Sequence, residues 1–99
     1  MPVMFTRLEL GQILNIYARM VGGGEWKDYA LDSLGDSAIF SVFRRASEYP
    51  LYRIEKHPKL ARKQGAFCVV NANGFVLKRG HDLAQVLRVF DKPLKLVTD

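Results

Sequence analysis

A single cysteine, Cys68, excludes an internal disulfide framework and fits a chain kept in a reducing compartment. Long apolar runs are also missing. The longest uncharged apolar stretches, such as "FCVV" at 67–70, are far shorter than the roughly 20 residues a membrane-spanning helix needs. The start, "MPVMFTRLELG", carries Arg7 and Glu9 where a secretory signal requires an unbroken apolar core. These absences point to a cytoplasmic protein with no membrane partner. Linkers, internal repeats and low-complexity segments are lacking as well, so the 99 residues (1–99) make one globular domain. Acidic residues are outnumbered 10 to 15 by Lys and Arg, giving a net charge of +5 and a bias towards anionic partners.

What is present begins with a helix signature. "FTRLELGQILNIYARMVGGG" (5–24) places Thr6 three residues before Glu9, the spacing of a capping box. Phe5 and Leu10 flank that cap as a hydrophobic staple would. Leu10, Ile13, Leu14, Tyr17, Met20 and Val21 recur at helical spacing, and Gly22 to Gly24 stop the helix. The rhythm then shortens. "WKDYAL" (26–31), "SAIFSVF" (37–43), "LYRIEK" (51–56), "AFCVV" (66–70) and "FVLKR" (75–79) predict strands, with turns at "DSLGD" (32–36) and "NANG" (71–74). "HDLAQVLRVF" (81–90) predicts a second helix, and "LKLV" (94–97) forms a tail after Pro93. The order predicts an α+β fold: an antiparallel β-meander of about five strands with an N-terminal and a C-terminal helix packed on one face.

Charge is uneven along this pattern. "RRASEYPLYRIEKHPKLARK" (44–63) holds seven Lys or Arg and two acids, a net +5 that equals the excess of the whole chain. Pro58 suits the first turn of a short helix and Gly65 its end. Were 58–64 helical, Lys59, Arg62 and Lys63 would share one face and repel one another by a few tenths of a kcal/mol per pair. An anion against them would relieve that repulsion. The candidate anion- or nucleic-acid-contacting residues are therefore Arg44, Arg45, Arg53, Lys56, Lys59, Arg62 and Lys63, with Tyr49 and Tyr52 available to stack on bases. The bland alternative is a solvated loop whose charges pair with Glu48, Glu55 and the acidic 25–36 segment. Strand geometry also limits the sharp version, because Arg53 and Lys56 point to opposite faces of an ideal strand.

A secondary candidate anion site is Lys78, Arg79, Gly80 and His81, where a strand runs into a helix start. There Asp82, or a cap by Gly80 or His81, competes for the same N–H groups. The triple glycine follows a helix instead of opening one, so it reads as a helix stop and not as a phosphate loop. Cys68, in an apolar strand, reads as a buried inert thiol. His57 and His81 have no partner at metal-ligand spacing, so no metal site and no cofactor is expected. Ser37, Ser41 and Ser47 belong to no nucleophile motif, and no catalytic residue is assigned. Trp26, beside the glycine hinge, is read as core, with an exposed contact residue as the alternative.

Three stretches, "LGQILNIYARMVGGGEWKDYALD" (10–32), "AIFSVFRRASEYPLYRIEKHPKLARKQGAF" (38–67) and "NGFVLKRGHDLAQVLRVF" (73–90), resemble a family of small alphaproteobacterial proteins classed as a domain of unknown function. The resemblance implies a bacterial, cytoplasmic, single-domain protein and transfers no active site or ligand. The sequence leaves the function unknown. Its leading expectation is a non-enzymatic binding module whose basic segment (44–63) contacts an anionic partner such as RNA or DNA. The alternative is a protein-interaction or regulatory module, a homodimer being one form of it, using strand 26–31, the 94–97 tail or Trp26 as its contact.

Overall fold

Thr6 closes the capping box that its spacing to Glu9 predicts. The Thr6 hydroxyl accepts from the Glu9 backbone N–H at 3.1 Å, and Glu9 Oε1 accepts from the Thr6 N–H at 2.8 Å. From that start helix α1 runs over Arg7–Gly22. In this computed structural model, which describes residues 2–45 and 49–91, five strands follow: β1 (Asp28–Ser33), β2 (Ala38–Phe43), β3 (Tyr52–Lys56), β4 (Phe67–Asn71) and β5 (Val76–Gly80). They form one antiparallel sheet in the order β1-β2-β3-β4-β5, a meander in which every strand pairs with its sequence neighbour. A five-residue helix α2 (Leu83–Leu87) and a 3-10 turn (Arg88–Asp91) complete it. The expected α+β meander with terminal helices is the fold observed.

Register decides which residues meet the helices. Phe40 pairs with Ile54, and Ile54 with Val69, so one row of apolar side chains crosses β2, β3 and β4 on one face. These three join Ile13 of α1 and Leu83, Val86 and Leu87 of α2 in a single buried cluster. At roughly 25 cal/mol per Å² of apolar surface removed from water, burial of this cluster is a main source of the fold's stability. Trp26, 1% exposed, is part of the same core, with the Phe90 ring edge-on at a centroid distance of 5.0 Å. The core reading of Trp26 therefore holds. The first strand starts two residues after it, at Asp28.

Two expected elements come out shorter. The 58–64 helix is a 3-10 turn at Pro58–Leu60 followed by a hydrogen-bonded turn through Gln64. The helix expected over 81–90 is α-helical only at Leu83–Leu87: Asp82 caps its start by accepting the Ala84 N–H, and from Arg88 the chain tightens into the 3-10 turn. The expected 94–97 tail, along with Ser47 and Glu48, lies outside the described residues.

Candidate functional site

Both helices pack on the face carrying Phe40, Ile54 and Val69. Among the described residues the opposite face has no helical layer. Alternation along β3 sends Arg53, Glu55 and, just past the strand, His57 to this second face. Register supplies the rest. Glu55 is the Cα partner of both Ile39 on β2 and Cys68 on β4, and Cys68 is the partner of Arg79 on β5. A single row across four strands thus reads Ile39, Glu55, Cys68, Arg79, with Arg53 and His57 flanking Glu55.

Glu55 is the hub of this row. Its Oε2 accepts from Arg53 Nε at 2.8 Å, and its Oε1 lies 2.8 Å from His57 Nε2 and 3.8 Å from Cys68 Sγ. Its side chain is only 12% exposed. Burial by itself would raise the Glu55 carboxyl, but the hydrogen bonds and charges of His57 and Arg53 outweigh it and hold the group below its ordinary value. Cys68, fully buried, goes the other way. Loss of water, and after it the Glu55 charge, push its thiol up to about 11, against the opposing pull of Arg79 and Arg53. With no metal bound the thiol is thus neutral at physiological pH, and its burial is what the apolar strand context predicts. One nitrogen of Arg79, Nη1, is buried and has no hydrogen-bond partner among the described residues. A buried donor left unmatched is uncommon and costly.

The residues singled out from the basic segment separate into groups. Arg44, Arg45 and Tyr49 lie beyond the Val42–Tyr52 end of the sheet, while Lys59, Arg62 and Lys63 lie past the Ala38–Lys56 end. A five-residue strand separates the two groups by roughly 15 Å. Arg53 is held by Glu55. Lys56 faces the helix side, where its ammonium reaches Glu9 Oε1 at 2.7 Å and the Met4 carbonyl at 2.9 Å. Tyr52 is packed against Trp26 and Phe90, at ring centroid distances of 6.2 and 5.1 Å. Tyr49 is exposed. Arg44 also borders a cavity of about 470 Å³ lined by Trp26, Tyr52, Phe90 and Asp91.

Lys59, Arg62 and Lys63 do stay together. The N–H groups of Lys63, Gln64 and Gly65 all converge on the Leu60 carbonyl at 2.9–3.1 Å, which winds the β3–β4 connection into a tight turn. All three cations are exposed, and none has an ion-pair partner among the described residues. The secondary candidates lie at the same end, because Gly80 is the partner of Phe67 and packs against Gly65. Within that group Lys78 shares the helix-side face with Val69, Arg79 the opposite face with Cys68, and His81 is exposed at the strand end. The α2 N-terminus itself is occupied by the Asp82 carboxylate.

Sequence reasoning missed the Glu55–His57–Cys68 grouping. A signal was available: residues 55 and 57 share a face by alternation, and a hairpin pairing β3 with β4 brings Cys68 opposite Glu55.

These features define a small α+β protein: a five-strand antiparallel meander backed by helices on one face and bearing a charged row on the other. The chain belongs to the family described as a protein of unknown function (DUF2794), which it matches over residues 3–87. No curated protein and no solved structure matches it. Among the described residues no helix is long and apolar enough to cross a membrane.

Proposed function

We propose that this chain is a non-enzymatic, cytoplasmic binding module that contacts the phosphate backbone of RNA or DNA through its β3–β4 turn. The observation that supports this reading is the wound turn at 58–65, which presents Lys59, Arg62 and Lys63 together, exposed and without acidic partners among the described residues. Three like charges carried on one short turn repel one another, and an anion laid against them relieves that repulsion. Lys78 and Arg79, in the neighbouring strand β5, add positive charge at the same end of the sheet. Arg44 and Arg45, at the far end of the sheet, stand outside it.

Binding of this kind is sequence-tolerant and steeply salt-dependent. Three phosphate contacts give a slope of log K against log salt of about −3 on duplex DNA. The test is a titration of labelled RNA and DNA oligonucleotides at several salt concentrations. Lys59→Glu combined with Arg62→Glu is expected to abolish binding and Arg44→Glu to leave it nearly intact. No binding at 50 mM salt, or a double variant that binds like the parent, removes the proposal.

A second reading, a homodimer or protein-interaction module, is favoured by one observation. All six residues of the edge strand β1 are exposed, including Tyr29 and Leu31, and beside it lies a groove of about 220 Å³ lined by Met4, Phe5, Leu10, Leu31 and Ala38. An open edge of this kind is a template for a further strand. Light scattering at two concentrations tests it, since a monomer at both rules out self-association.

A further inference from the structure

We propose that Glu55, His57 and Cys68 form a binding site for one divalent transition-metal ion, with zinc the best match. Each residue offers one ligand atom, and the three atoms lie within 4.8 Å of one another. A tetrahedral zinc site with bonds of about 2.0–2.3 Å sets its ligand atoms roughly 3.3–3.7 Å apart. The Glu55 to Cys68 separation of 3.8 Å is just above that spacing, the Glu55 to His57 separation of 2.8 Å has to open by about half an ångström, and His57 and Cys68, within 4.8 Å, have to draw together. His57 stands just past the end of β3 and is partly exposed, so its ring has room to turn.

The donor set points to the class of ion. One imidazole, one thiolate and one carboxylate suit zinc or cobalt, whereas calcium and magnesium take oxygen ligands alone. The support around the site fits as well. Arg53 Nε holds Glu55 Oε2 at 2.8 Å, which orients the carboxylate and leaves Oε1 for the metal, the usual arrangement of an outer partner. Glu55 and Cys68 are fixed by strand pairing, so their approach costs no loop ordering. Arg53 and Arg79 oppose a cation, and two anionic ligands compensate once the thiol proton has left to solvent. Three protein ligands leave one coordination position for water. None of the three ligands is among Lys59, Arg62 and Lys63, so metal binding and nucleic-acid binding are tested by different variants.

The test uses the full chain, stripped with a chelator and titrated with cobalt(II) as the probe. The expected result is one cobalt per chain, visible bands of tetrahedral intensity, and a thiolate-to-cobalt charge-transfer band that zinc abolishes by displacement. Cys68→Ser is expected to lose the charge-transfer band. His57→Gln, a substitution at a partly exposed position that circular dichroism can certify as folded, is expected to weaken binding at least about tenfold. His81→Gln is expected to bind like the parent. No charge-transfer band from the folded parent, or undiminished cobalt affinity in folded His57→Gln, overturns the proposal.

Discussion

Gly65 packs so closely on Gly80 that a Cβ added to Gly65 would stand 2.7 Å from the Gly80 Cα and overlap its carbonyl. Gly65 also has φ +100°, a left-handed value that side-chain-bearing residues rarely adopt. Gly65→Ala therefore carries a conformational cost of about 1–2 kcal/mol and a clash with rigid backbone on top of it. A urea melt is expected to show a loss above about 2 kcal/mol, a large part of a total on the order of 5–15. The relationship is one-sided. A Cβ on Gly80 meets only Val86 Cγ2, at 3.4 Å, so Gly80→Ala is expected to stay within about 0.5 kcal/mol of the parent.

Glu9 serves two partners with one oxygen: Oε1 accepts from the Thr6 N–H at 2.8 Å and from Lys56 Nζ at 2.7 Å. Thr6→Ala removes the helix cap and is expected to cost about 1 kcal/mol. Glu9→Gln keeps an acceptor for Thr6 but loses the charge facing Lys56. Both side chains of that pair are less than 20% exposed, 18% and 15%, so the pair is screened less than a surface one. A loss of about 1 kcal/mol is expected, and it should persist at high salt. Urea melts at low and high ionic strength check both expectations.

Cys68 should be silent to thiol reagents while the protein is folded. It is fully buried and its thiol is pushed up to about 11, so at pH 8 the thiolate is scarce and shielded. Modification by a chromogenic disulfide is expected to run roughly two orders of magnitude slower than for a free thiol, and to reach the free rate in denaturant. Prompt reaction of the folded chain would contradict the buried placement.

Tyr17 makes the stability of the fold depend on pH at the alkaline end. Burial, then the Asp28 charge, then Tyr29 raise its phenol above the ordinary 10.0. The folded state thus holds the phenolic proton more tightly than the unfolded chain. That contribution is complete below pH 10 and is lost as the pH climbs from there through the folded value. Stability measured from pH 8 to 11 should fall at the top of the range, and Tyr17→Phe should flatten the fall. An identical decline in both proteins would assign it elsewhere.

The elements most open to sequence reading were those set by local chemistry. The Thr6–Glu9 box, the glycine stop and the helical stripe all act within a turn or two, and α1 appears where they place it. Alternation in "LYRIEK" put Arg53 and Glu55 on one face, as β3 has them. What local pattern could not supply was register. Whether Glu55 faces Cys68 or its neighbour depends on how the 57–66 connection is wound, and that rests on Leu60 accepting three N–H groups and on Gly65 fitting against Gly80. Lys56 illustrates the same limit. Its charge looked available for a ligand, yet its partner Glu9 lies 47 residues away in sequence. Tyr52 similarly looked free to stack until Trp26 and Phe90 closed around it.

Strand order has a kinetic corollary. Since each strand pairs with the next, every β-β closure spans a short loop, and low sequence separation between contacts favours rapid assembly. Helix α1 is the exception: Ile13 needs Phe40 and Val86, and Glu9 needs Lys56, all far downstream. On the ribosome α1, which emerges ahead of the sheet, would consequently find its seat after it, its apolar stripe waiting until the hairpins have zipped.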